Sequence, residues 1–180
     1  MKHIPIGLVA LAVSLLFSQA QDTKPQKRSA ELQVLDRFVG VWDVEVTANP
    51  TQGERSTYKA LSSRAWSLGG AFIRFEDSSP ENAQQPEIQI LMTYDPEAKN
   101  YPGVMMSGVT RSEITGTWDE KSQTMTLTAE FPGGNRLISK HRFVGEDRAE
   151  PKGAITTSDG TVLVELSWTQ TRRKPTGHSK

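Results

Sequence analysis

From Val39 onward the hydrophobic period of this chain changes from about 3.6 residues to two, and it stays near two as far as Arg173. Such a stretch can only be buried as strands, each with one apolar and one polar face. Trp42, Val44 and Val46 alternate with Asp43 and Glu45 in the first of them, Val39 to Ala48. Met125, Leu127, Ala129 and Phe131 alternate with threonines in Thr124 to Phe131. The other expected strands are Arg55–Trp66, Ala71–Asp77, Glu87–Tyr94, Tyr101–Thr110, Glu113–Asp119, Arg136–Phe143, a weaker Arg148–Thr157, and Thr161–Arg173. Turn chemistry separates them at Leu68-Gly69-Gly70, Asp95-Pro96-Glu97, Pro132-Gly133-Gly134-Asn135 and Ser158-Asp159-Gly160. About ten two-faced strands joined by short turns hide their edges by closing on themselves. The expected fold is therefore all-β, a closed antiparallel up-and-down barrel, with an open sandwich as its rival.

One helix is expected ahead of the barrel. Ser29 stands where an N-cap would, and Leu32, Leu35, Phe38 and Val39 follow at helical spacing, so Ala30–Phe38 reads as a short amphipathic helix. Before it, Lys2 and His3 precede an apolar run from Ile4 to Phe17, then Ser18-Gln19-Ala20. That is the layout of a secretory signal peptide cut after Ala20, and the run is short for a membrane span. The expected organisation is a signal segment at 1–20, a polar leader at 21–28, a barrel domain at 29–173 and a polar tail at 174–180, with export to the periplasm or medium.

Charge narrows the partners. Removing Lys2 with the signal segment leaves 20 basic and 21 acidic residues. No basic excess is available for nucleic acid or an anionic membrane, and no stable membrane insertion is expected after cleavage. The chain has no cysteine, which excludes disulfides, thiol chemistry and thiolate metal sites.

Gly40-Val41-Trp42, placed after a short helix and opening the first strand, resembles the start of calycin barrels, the lipocalin and fatty-acid-binding type. That resemblance implies a basic residue from the last strand over the tryptophan ring, and Arg172, which shares strand parity with Trp168, is the residue expected to close the barrel on Trp42. A wider ordered set is similar to an uncharacterised bacterial family, domain of unknown function fifteen seventy-nine. It comprises Phe38 to Trp42, Ala65 to Phe72, Tyr94-Asp95-Pro96, Gly116 to Asp119, Ser158-Asp159-Gly160 and Arg172-Arg173. The family implies a lipocalin-like barrel and brings no catalytic residues with it.

The residues themselves offer little reaction chemistry. Gly-x-Ser-x-Gly, phosphate-loop, His-Glu-x-x-His and dinucleotide motifs are absent. No catalytic residue, metal site or cofactor is expected. Beyond the signal segment only His141 and His178 remain, of which His141 shares inward parity with Leu137 and Phe143. It is either a core histidine bonded to a neighbour or a single haem ligand. A barrel of this size can hold one small ligand. The expected ligand-binding residues are Ile90, Met92 and Tyr94 on one strand, with Arg74 as an inward cation for an anionic head group. Arg64 is noted as sharing a face with Trp66.

Three functional readings follow. The first is an exported carrier of a small apolar or amphipathic ligand, without catalysis. The second is a packed barrel acting through its surface as an envelope accessory module. The third is a haem-dependent or enzymatic barrel using His141.

Overall fold

The computed structural model describes residues 28–80 and 87–174. The expected signal segment, all of the leader but Arg28, and all of the tail but Lys174 lie outside the described residues, as does His178.

Ser29 caps the first turn, its Oγ accepting from Leu32 N at 3.2 Å. The expected single helix divides in two. A short α1, Ala30–Gln33, tightens into a 3₁₀ turn over Val34–Phe38. Residues three apart eclipse in a 3₁₀ turn, so Leu35 and Phe38 fall on one side, and both are fully buried.

Ten strands follow: β1 (Gly40–Pro50), β2 (Ser56–Ser67), β3 (Phe72–Ser78), β4 (Ile88–Met92), β5 (Tyr101–Ser107), β6 (Thr110–Asp119), β7 (Thr124–Glu130), β8 (Arg136–Phe143), β9 (Arg148–Thr156) and β10 (Val162–Arg172). Each pairs antiparallel with its sequence neighbours, and β1 pairs with β10, so the sheet is a closed up-and-down barrel. The sandwich alternative is thereby excluded. The outer faces carry Asp43, Glu45, Lys59, Arg74, Glu113, Lys140 and Arg148, all exposed or partly so. A membrane barrel would present an apolar band there. No described helix is long and apolar enough to cross a membrane.

The two ends of the barrel differ. The α1 segment plugs one end, where Phe38, Trp42, Met125 and Phe143 pack as large, fully or almost fully buried side chains. Phe38 meets Phe75 and Phe143 edge to face, with centroids 5.5 and 4.9 Å away. Gly40 lets the chain turn from plug to strand at φ 129°, and a Cβ there would meet Arg172 Nη1 at 3.1 Å. Beyond the plug small inward residues, Ala60, Ala129 and Ser139, stand among larger ones such as Tyr58, Leu137 and Trp168. The interior there is not filled, and a hollow remains in the middle of the barrel.

Candidate functional site: the barrel interior

The hollow is a cavity of about 160 Å³. Its wall is mostly apolar, formed by residues such as Val46, Ile90, Met105, Ile114, Leu127 and Trp168. At the end remote from the plug its lining includes Asp77, Ser78, Ser79 and Ile88, from the close of β3 and the start of β4. A cavity of this size has room for a body of about one aromatic ring.

Strand register sets the polar groups in the wall. Opposed residues in an antiparallel pair share a face. β2 and β3 place Ser62 opposite Asp77, Arg64 opposite Phe75 and Trp66 opposite Ile73. Since Ile73 and Phe75 are buried, Ser62, Arg64 and Asp77 face inward with them. Arg64 Nε donates to Ser62 Oγ at 2.8 Å, and the Ser62 hydroxyl donates to Asp77 Oδ1. The guanidinium is 4% exposed and lies among three aromatic rings, with its Cζ 5.2 Å from Phe75, 5.3 Å from Trp42 and 5.8 Å from Phe38. Burial pulls its pKa down to about 10, and the charge of Asp77 works the other way. It remains a cation at neutral pH, and its Nη1 has no partner among the described residues.

His141 reaches the same cavity from β8. Its Nε2 lies 3.1 Å from Ser139 Oγ, and its ring stacks on Trp168 at 6.2 Å. Part of the ring faces the cavity, yet Nδ1 is buried and unpartnered. Burial, with Arg64's charge second, lowers its pKa to about 3, so the imidazole is neutral. Gln170, 4% exposed on β10, completes the polar set with an unpartnered Oε1. A haem on His141 does not fit a cavity with room for about one ring.

The expected ligand residues are scattered. Ile90 lines the cavity. Met92 is 1% exposed and belongs to the packed core, opposite Ile73, away from the cavity wall. Tyr94 lies beyond β4 and packs on Tyr101 with centroids 5.1 Å apart, near the plugged end. Arg74 faces outward, 3.5 Å from Glu76 at the surface, so it is not the interior cation. The reason is parity: Ile73 and Phe75 take the inner face of β3, which turns Phe72 and Arg74 out. Arg64 takes the place expected of Arg74. Its signal was the run Tyr58, Ala60, Ser62, Arg64, Trp66 on one parity, flanked by aromatics. The other parity of β2 carries Leu61 and Ala65, so the pattern alone leaves the inner face ambiguous.

The plugged end holds Trp42 and Arg172 directly opposite each other in the β1–β10 register. Arg172 Cζ lies 4.4 Å over the Trp42 ring, a cation–π contact worth roughly 0.5–2 kcal/mol. Arg172 also donates to the carbonyls of Val39, of Arg37 at 2.9 Å and of Glu146 at 2.8 Å. Trp42 Nε1 donates to Phe38 O at 2.8 Å, and Tyr101 OH to Glu31 O at 2.9 Å. These bonds tie plug to barrel.

A closed ten-strand antiparallel barrel, plugged by a short N-terminal helix and locked by a tryptophan–arginine pair, is a calycin-like fold. Within that class the chain belongs to the family described as protein of unknown function DUF1579, whose model matches residues 27–164. Among solved structures it is similar to an S-type phycobiliprotein lyase, CPES, from Guillardia theta. The two are 16% identical, with 83% of this chain and 96% of that chain covered and a TM-score of 0.59. It is also similar to Rv2717c from M. tuberculosis, at 12% identity, 81% and 99% coverage and a TM-score of 0.62. At these identities the likeness is one of fold. No curated protein matches the chain in sequence.

Proposed function

We propose that this protein is an exported barrel that binds one small, largely apolar ligand in its interior without transforming it. The observation that carries the reading is the cavity of about 160 Å³ with its mostly apolar wall. Burial of an apolar body there contributes about 25 cal/mol for each Å² removed from water. The likeness in fold to a phycobiliprotein lyase is compatible with an interior that handles a small molecule. Export rests on the apolar run Ile4 to Phe17 and the small residues before Gln21.

The test is native mass spectrometry of the full chain purified from the envelope fraction of its own host, followed by denaturing extraction. The expected result is a chain beginning at Gln21 with one small compound per barrel. Failure to retain any compound, together with no shift in the protein's NMR spectrum on adding toluene, overturns the binding reading. A mature chain that keeps Met1 overturns export.

A further inference from the structure

Resting on that reading, we infer that the cavity is built for a monocarboxylate, its acid group held by Arg64 and its apolar body, one ring or a short chain, lying against the apolar wall away from the plug. Three observations converge. First, Arg64 is a buried cation whose one hydrogen-bonded side-chain partner is Ser62, with Asp77 joined to it through that hydroxyl. A buried charge without direct neutralisation is costly, and an anion brought by a ligand offsets that cost. Arg64 is 96% buried and lines the cavity, and its Nη1 is a buried donor with no partner among the described residues.

Second, the other unpartnered polar atoms of the wall suit the same group. His141 Nε2 shares a hydrogen bond with the Ser139 hydroxyl, and in the neutral tautomer in which Nε2 accepts, Nδ1–H is a free donor. A flip of the Gln170 amide exchanges its unpartnered carbonyl for an N–H donor. Both side chains come from strands on the far side of β1 from Arg64, so the donors converge on the cavity from separate staves of the barrel. Charge-assisted hydrogen bonds from a guanidinium to a carboxylate are roughly twice as strong as neutral ones. Third, size limits the remainder. About 160 Å³ admits one ring or a short aliphatic chain, and Asp77, already joined to Arg64 through Ser62, disfavours any ligand that brings more than one negative charge.

The experiment titrates the full-length mature protein with phenylacetate, phenylacetamide and toluene, read by NMR shifts and calorimetry at pH 7. The wild-type chain is expected to bind phenylacetate at least 10-fold more tightly than phenylacetamide. Arg64→Met is expected to bring that ratio to about 2 or less while leaving toluene binding in place. Arg64→Lys, which keeps the charge and loses the planar fork, is expected to fall between them. Equal affinity for acid and amide in the wild type, or a ratio that survives Arg64→Met, overturns the carboxylate assignment and leaves the small-ligand reading standing if toluene still binds. Entry of none of the three probes overturns both.

Discussion

The plugged half and the hollow half of this barrel both bury polar groups, and they treat them differently. In the plugged half most tips are met: Trp42 Nε1 by a carbonyl, Tyr101 OH by a carbonyl, and Arg172 by three carbonyls and the ring of Trp42, while Arg172 Nε makes no hydrogen bond and faces Asp147 at 3.2 Å as an ion pair. Where the hollow half meets the plug aromatics Phe38 and Trp42, Arg64 Nη1, His141 Nδ1 and Gln170 Oε1 have no partner among the described residues. Leaving a buried donor or acceptor unpaired costs about 1–3 kcal/mol. One half is therefore organised to hold the fold closed. The other carries polar groups whose cost a bound ligand would offset.

The sharpest way to break this contrast is Trp42→Ala. It empties a fully buried site, strands the Phe38 carbonyl and removes the ring beneath Arg172. The expected loss is about 3–5 kcal/mol in urea unfolding. A loss below about 1 kcal/mol would mean that the plug does not hold the barrel.

Next comes pH. Folding holds His141 near 3, while the unfolded imidazole titrates near 6.5. Below 6.5 the unfolded state takes up a proton that the folded state refuses, so stability falls as the pH drops from about 6.5 toward 3. Between pH 7 and pH 5 the expected loss is roughly 2 kcal/mol. It should vanish in His141→Gln, and equal slopes in the two proteins would remove His141 as its source.

Arg64→Met sharpens the contrast from the opposite direction. Removing a buried cation that lacks direct neutralisation is expected to raise stability by about 1 kcal/mol while weakening carboxylate binding. A loss of stability above about 2 kcal/mol would place Arg64 with the structural half. Arg74→Ala, at the surface, is expected to change the unfolding midpoint by less than about 0.5 kcal/mol. A larger effect, or any effect on binding, would contradict its outward placement.

Much of the fold was legible because strand periodicity is a local property. Trp42, Val44 and Val46 announce a half-buried strand whatever lies beside them, and glycine-rich turns announce where each strand ends. β9 reads weakly because Pro151 and Gly153 interrupt it. Its place between β8 and β10 comes from the neighbours that need a partner to close the ring. The site was less legible. Periodicity assigns two faces to β3 without saying which is inner, and both carry a phenylalanine, so Phe72 drew Arg74 inward on paper.

The strand rhythm, the short capped helix at the front and the Gly40-Val41-Trp42 opening that tells of a calycin-like barrel can all be read from the order of residues. These rest on side-chain period and turn chemistry within a few residues. That Arg64 is the interior cation, that Gln170 and His141 share its cavity and that the barrel is hollow in the middle emerge only once the strands are in place. Those facts depend on cross-strand register and on which large side chains meet across the interior. Residues from β2, β8 and β10, up to 106 positions apart between Arg64 and Gln170, become neighbours only when the sheet closes.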